Sequence, residues 1–237
     1  MDNSETILGI RDSLKENVDA KTKATAQNYF KEEIKFYGVK TSIVTKISKE
    51  SYEKIADLRK DEIFSLCELL LKSGYIEETF IAFKWAEYIS GDFEEGDFKV
   101  LEMWLKNYVT NWAACDTLCN HAIGNFIEMY PDYVRDLKGW TKSENRWVRR
   151  GAAVTLILPA RKGLFLKDVL EIASMLIDDR DDLVQKGYGW MLKEASRMHQ
   201  KDIFNYVMKN KKIMPRTALR YAIEKMPDEL RREAMKR

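Results

Sequence analysis

VRRGAAVTL (residues 148–156), VQKGYGWML (184–192) and PRTALRYAI (215–223) are three versions of one pattern. Each runs from basic or polar residues through a small residue into an apolar stretch. The small residues Gly151, Gly187 and Ala218 stand 36 and 31 positions apart. Each copy follows a shorter amphipathic segment with helical spacing, at Tyr133–Trp140, Leu166–Ile177 and Asp202–Lys209. Helix pairs recurring with a period in the thirties stack side by side and share one core. Small residues at a repeated position let neighbouring helices approach closely.

This predicts an all-α fold, a HEAT-like solenoid of antiparallel helix pairs in which one helix of each pair lines a concave face. The expected organisation is a single domain over 1–237, with an N-terminal helix in 1–20, helical repeats over 21–226 and a helix or tail over 227–237. Four Pro and sparse Gly agree with helix almost everywhere.

Toward the N-terminus the pattern predicts helices over 4–16 and 22–37, the second with a buried stripe of Ala24, Tyr29, Phe30, Ile34 and Tyr37. FYGVKTS would end it, with Gly38 as a left-handed C-cap and Thr41 or Ser42 capping the next helix. Helical segments follow at Tyr52–Leu58, Asp61–Lys72, Glu77–Ile89, Val100–Val109 and Trp112–Met129. GDFEEGD reads as an acidic loop, and Pro131 suits the first turn of a new helix.

Three cysteines without framework spacing point to a reducing, cytoplasmic setting. No apolar run approaches the ~18 residues of a membrane span, and the N-terminus lacks a signal-peptide pattern. Residues 1–140 carry 18 Lys/Arg against 25 Asp/Glu, while residues 141–225 carry 18 against 10. A basic C-terminal half fits either a polyanion site or ordinary solvated helix faces.

The stretch Asn111–Asn125, NWAACDTLCNHAIGN, puts Trp112 and Asp116 four apart on one helix face. Alone, such a pair reads as a core aromatic and a surface acid. Arg146, Arg149 and Arg150 surround Trp147, which is either a solvated face or a phosphate holder, since guanidinium planes match phosphate oxygens. Trp190 reads as core, bracketed by Lys186 and Lys193. His121 and His199 are too few for a triad or a metal site, and Cys115 and Cys119 read as buried thiols. No glycine-rich phosphate loop occurs, so neither a metal nor a cofactor is expected.

From about Tyr29 to about Lys225 the chain resembles the AlkD-type DNA alkylation repair family, alkylpurine DNA glycosylases of HEAT-like repeats. FYGVKTS is similar to its aromatic-x-Gly-x-x-Thr segment and NWAACD to its Trp-x-x-x-Asp. SENRWVRRGAAV resembles Asn-x-Trp-x-x-Arg-x-Ala, and VQKGYGWMLKE resembles Gln-Lys-x-x-Gly-Trp-x-Leu-[Arg/Lys]-Glu. The four pieces occur in the family's order and spacing. The resemblance implies that Asp116 is the essential carboxylate, with Trp112 and Trp190 as active-site tryptophans. It implies DNA contacts at Arg150 and Lys193, with Arg149 and Arg146 beside them, and at Lys40, Thr41 and Tyr29. Family members often have a second aromatic and an acid around the first Trp, where this chain has Asn111, Ala113 and Ala114. It further implies that the chain, expected to be a monomer, grips duplex DNA containing alkylated bases by its backbone, without a base-specific pocket.

The chemistry suits these residue types. An N3- or N7-alkylated purine is a cation and a good leaving group, and breaking its glycosidic bond builds positive charge on the sugar. A carboxylate at about 4 Å is worth roughly 4 kcal/mol against that charge at an effective dielectric near 20. That is on the order of a thousandfold in rate. Asp116 could also orient water, and indole faces attract a cationic sugar or base. The sequence also admits a non-catalytic helical-repeat DNA binder, or a protein-interaction solenoid.

Overall fold

The computed structural model describes residues 3–236, with side chains described from Glu5 onward. Every regular element among them is helical, apart from isolated bridges pairing Val18 with Val39 and Lys35 with Tyr75. The chain folds into two units, Met1–Leu118 and Cys119–Arg237.

The first unit holds α1 (Asn3–Glu16), α2 (Ala20–Thr25), α3 (Thr41–Glu53), α4 (Lys60–Leu71), α5 (Ile76–Tyr88), α6 (Asp97–Asn107) and α7 (Trp112–Thr117). α5 is its hub, because α3, α4 and α7 all pack on it. Ile81, Ala82, Phe83, Trp85 and Ala86 are fully buried, and the Trp85 Nε1–H donates to the Ser48 carbonyl of α3 at 3.0 Å.

The predicted helix over 22–37 does not form. Asp19 caps α2 by accepting from the Thr22 amide and hydroxyl, both at 2.8 Å. These bonds and the Lys40 ammonium hold the Asp19 carboxyl down at about 2. After α2 the chain tightens into a 3₁₀ turn, Ala26–Tyr29, and then extends. The Gln27 side chain occupies the inside of this loop, donating to the Glu32 carbonyl at 2.8 Å and accepting from the Ile34 amide at 3.2 Å. Further on, the Glu77 carboxylate accepts from three consecutive amides, Tyr37 at 3.1 Å, Gly38 at 2.8 Å and Val39 at 3.2 Å. A helix would have used those amides internally.

The expected stripe is therefore not buried: Ala24 and Tyr29 are exposed, and Phe30, Ile34 and Tyr37 are half-buried. Gly38 does have positive φ, but within this extended turn, where a Cβ would sit 2.5 Å from that of Lys23. Thr41 begins α3 rather than capping it, since Lys40 holds the cap position without a side-chain bond. The helix expected over Tyr52–Leu58 is the end of α3 followed by turns.

Beside Glu77, Glu78 is fully buried and takes a two-pronged bond from Arg11 (Nε at 3.2 Å, Nη2 at 3.0 Å) and one from the Tyr37 hydroxyl at 2.7 Å. Burial, together with that carboxylate, raises the Tyr37 phenol well above its usual range. Both glutamates lie in the first turn of α5, where the helix dipole favours negative charge.

From α7 the chain passes through a π-helical turn, Leu118–Ile123, into α8 (Gly124–Met129). The second unit continues with α9 (Val134–Trp140), α10 (Arg146–Val154), α11 (Ile157–Arg161), α12 (Leu166–Met175), α13 (Asp182–Ala195), α14 (Gln200–Asn210), α15 (Arg216–Ala222) and α16 (Asp228–Met235). Here the repeats stack as the pattern predicts: α10 packs on α13, α13 on α15, and α9 on α12. Gly187 faces the Arg150 side chain and Val154. Gly189 meets the next repeat so closely that a Cβ would lie 2.8 Å from the Ala218 carbonyl.

An ionic brace joins α11 to α13. Glu194, 3 % exposed, accepts from Arg161 Nε at 2.8 Å and Arg197 Nε at 2.6 Å. Burial pushes its carboxyl up, but the two guanidinium bonds prevail and hold it below the usual range.

Glu77→Ala leaves three amides without their acceptor, so urea unfolding should show a loss of at least about 3 kcal/mol. Glu194→Gln should cost roughly 1–3 kcal/mol at neutral pH. A depressed folded pKa stabilises above the ordinary value of 4.5 and is lost as pH falls through the folded value. The stability gap between parent and Glu194→Gln should therefore close on acidification below that point, read by denaturant melts across pH.

Candidate functional site

The helices bearing the candidate tryptophans and arginines, α7, α10 and α13, share one device at their starts, an Asn or Asp side chain that accepts from the first free amides. Asn111 caps α7 by accepting from the Ala114 amide at 2.9 Å. Asn145 caps α10 at the Trp147 amide, 2.9 Å, and Asp181 caps α13 at Leu183, 2.9 Å, and Val184, 3.2 Å. Each cap fixes where its helix begins, and thus the direction in which the next turn's side chains project.

In the first unit α7 carries Trp112 and, one turn on, Asp116; both are half-buried. Trp112 is held twice. Its Nε1–H donates to the Tyr29 carbonyl at 3.1 Å, and its ring stacks on Phe30 with centroids 5.6 Å apart and planes 20° from parallel. Tyr29 itself stands 71 % exposed. The structure thus brings Tyr29 to Trp112 through the main chain, with the phenol ring left in solvent. Phe30 was missed as a site residue, because the sequence offers it only as one more member of a helical stripe.

Tyr29, Lys40, Thr41 and Trp112 line one cavity of about 630 Å³. Lys40 is exposed and ion-paired with Asp19 at 3.0 Å.

In the second unit the basic cluster of α10 is bonded into the next repeat. Arg146 pairs with Asp181 at 3.0 Å and lies 4.6 Å over the Trp147 ring. Arg149 pairs with Asp179 at 2.6 Å and donates to the Ser143 carbonyl at 2.9 Å. Arg150, 5 % exposed, donates from Nη1 to the Leu183 carbonyl at the start of α13. On α13, Trp190 is half-buried, and Lys193 pairs with Glu224 at 3.1 Å with its ammonium 5.5 Å over the Tyr221 ring. Asp179, Asp181 and Glu224 were not singled out in the sequence. The one available signal was Asp181 standing two positions before the pair Leu183 and Val184, where a cap would sit.

All three cysteines are free and buried, and burial pushes the Cys67 thiol well up. Among the described residues no three His, Cys, Asp or Glu are grouped to hold a metal ion, and no helix is long and apolar enough to cross a membrane.

The family of DNA alkylation repair enzymes matches residues 10–226. Among solved structures, one described as a predicted DNA alkylation repair enzyme from Enterococcus faecalis superposes with a TM-score of 0.80 at 15% identity, over 90% of this chain and 98% of that one. The Pseudomonas fluorescens alkylpurine DNA glycosylase AlkC, bound to DNA containing an abasic site analog, gives 0.53 at 15% identity, over 98% of this chain and 66% of that one. No curated protein sequence matches. At this identity the likenesses establish the fold, the all-α HEAT-like arrangement of the alkylation repair enzymes, and the match over 10–226 establishes the family. The chain belongs to the DNA alkylation repair enzyme family.

Proposed function

We propose that this chain is a monofunctional DNA glycosylase that hydrolyses the N-glycosidic bond of cationic N3- and N7-alkylated purines in duplex DNA. The observation that carries the reading is Trp112, fixed by the Tyr29 carbonyl and the Phe30 ring, one helical turn from the carboxylate of Asp116. With its N–H already bonded, Trp112 offers a substrate its electron-rich face rather than a donor. Such a face suits a positively charged sugar or base. The likeness to an alkylpurine glycosylase bound to DNA supports the same substrate class.

In the reaction the bond from C1′ to the purine nitrogen breaks and its electron pair leaves with the base, which departs neutral because it began as a cation. Positive charge then grows on the deoxyribose, and the Asp116 carboxylate stabilises it. Water adds to C1′ and gives its proton to Asp116 or to solvent. On the second unit, Trp190 is the other tryptophan that the family resemblance assigns to the reaction. Arg150, anchored at the Leu183 carbonyl, holds a backbone phosphate. Arg146, Arg149 and Lys193 reach phosphates by exchanging the carboxylates of Asp181, Asp179 and Glu224 for them. Lys40 and Thr41 give a further backbone contact from the first unit, beside Tyr29.

Release of 7-methylguanine from methylated duplex DNA tests the reading. Asp116→Asn should lower release on the order of a thousandfold and leave duplex affinity within about twofold of the parent. Equal release by parent and variant would remove Asp116 from the mechanism. No release by the parent, with duplex binding intact, would make the chain a DNA binder without catalysis.

A further inference from the structure

The cavity of the first unit is not lined by Asp116, although Trp112, one turn before it, does line it. Its volume of about 630 Å³ lies within the roughly 300–1,000 Å³ usual for small-ligand sites. Four aromatic rings wall it, those of Phe30, Phe36, Phe80 and Trp112. Phe30 and Trp112 are stacked on each other, so each ring is held in place before any ligand arrives.

One edge of the cavity is the start of α3. There the first intrahelical bonds run from the Ile43 and Val44 amides to the Lys40 carbonyl, at 2.9 and 3.0 Å. The Thr41 and Ser42 amides precede them and face beyond the helix end, a natural seat for a phosphate. Two turns further along α3, Ser48 also lines the cavity; it is fully buried, and its hydroxyl has no hydrogen-bond partner. The lining therefore offers stacking surfaces, one unmet hydroxyl and an anion seat.

We propose that this cavity receives one unpaired nucleotide of a DNA strand, its base against the aromatic side chains and its phosphate on the Thr41 and Ser42 amides. Aromatic stacking accepts any base, so the site senses that a nucleotide is unpaired rather than which one it is. At the rim Lys40 and Lys84 sit with Asp19 and Glu87, at 3.0 and 2.7 Å, and turn toward the phosphate when it arrives. The proposal takes from the functional reading only that the chain meets DNA, and not that it breaks a bond.

The test compares the full chain's affinity for a lesion-free duplex carrying one unpaired adenine with its affinity for the fully paired duplex, by anisotropy of an end label. The unpaired adenine should tighten binding about tenfold or more. Thr45 is exposed on α3 and lines the cavity, so Thr45→Trp should fold and block it. That variant should bind both duplexes alike, with paired-duplex affinity unchanged. Ser48→Ala should reduce the preference several-fold, whereas a hydroxyl that is merely buried would leave it untouched. Equal affinities in the parent, or a preference that survives Thr45→Trp, would overturn the proposal. Because no bond is cleaved in this assay, its result stands apart from any loss of excision.

Discussion

Tyr37, Gly38 and Val39 point three successive amides at the Glu77 carboxylate, and the N-terminal unit depends on that bond set. A buried carboxylate is costly unless its lone pairs are filled. Glu77 fills them with backbone, and the adjacent Glu78 fills its own with Arg11 and Tyr37. The positive end of α5 lowers the cost of placing both charges side by side. The consequence runs through the whole unit. With 37–39 held extended against α5, the chain cannot remain helical across 30–36, and α3 must begin at Thr41. The turn at Ala26–Tyr29 is left where its last carbonyl meets Trp112. A carboxylate remote from any chemistry thus sets the position of the aromatic side chain on which the proposed chemistry relies.

This is also where sequence reading stopped. The C-terminal repeats were legible because period and packing agree: each apolar stripe is buried by a copy of itself, and Gly187 and Ala218 lie at the helix contacts that their spacing implied. Residues 22–37 carry an equally good helical stripe, yet the amides of 37–39 are taken by a side chain some forty positions later. No local pattern encodes such a competitor. The same limit applied to the site. Motif order singles out Trp112, Asp116, Arg150 and Trp190 as candidates. The partners of Arg146, Arg149 and Lys193 lie thirty or more residues downstream in the next repeat and are not singled out.

Those partners change the meaning of the basic C-terminal half. Counted by residue, 141–225 carries a surplus of eight positive charges. In the structure three of its most prominent cations are spoken for by Asp179, Asp181 and Glu224, and Arg161 and Arg197 by Glu194. A pair of this kind holds a long side chain in one rotamer, which lowers the entropy cost of a later contact. It also sets a threshold, since only an anion that competes with a carboxylate displaces it. A phosphate backbone presents such anions at regular intervals along a groove, whereas an isolated surface acid offers one. The ion pairs therefore favour an extended polyanion over scattered charges.

The two units also differ in what holds the side chains proposed to act on DNA. In the second, arginines are fixed by carboxylates and a carbonyl, interactions that salt weakens where they are exposed. In the first, Trp112 is fixed by a main-chain carbonyl and a stacked ring, which salt hardly affects. An aromatic face stabilises a growing cation only if it is in place before the charge develops, because reorganisation during the reaction would cancel the gain. A phosphate contact has no such requirement, since binding precedes the chemistry and leaves time to exchange partners. Rigid apolar support at Trp112 and exchangeable ionic support at Arg146 and Arg149 are what the two proposed tasks would demand.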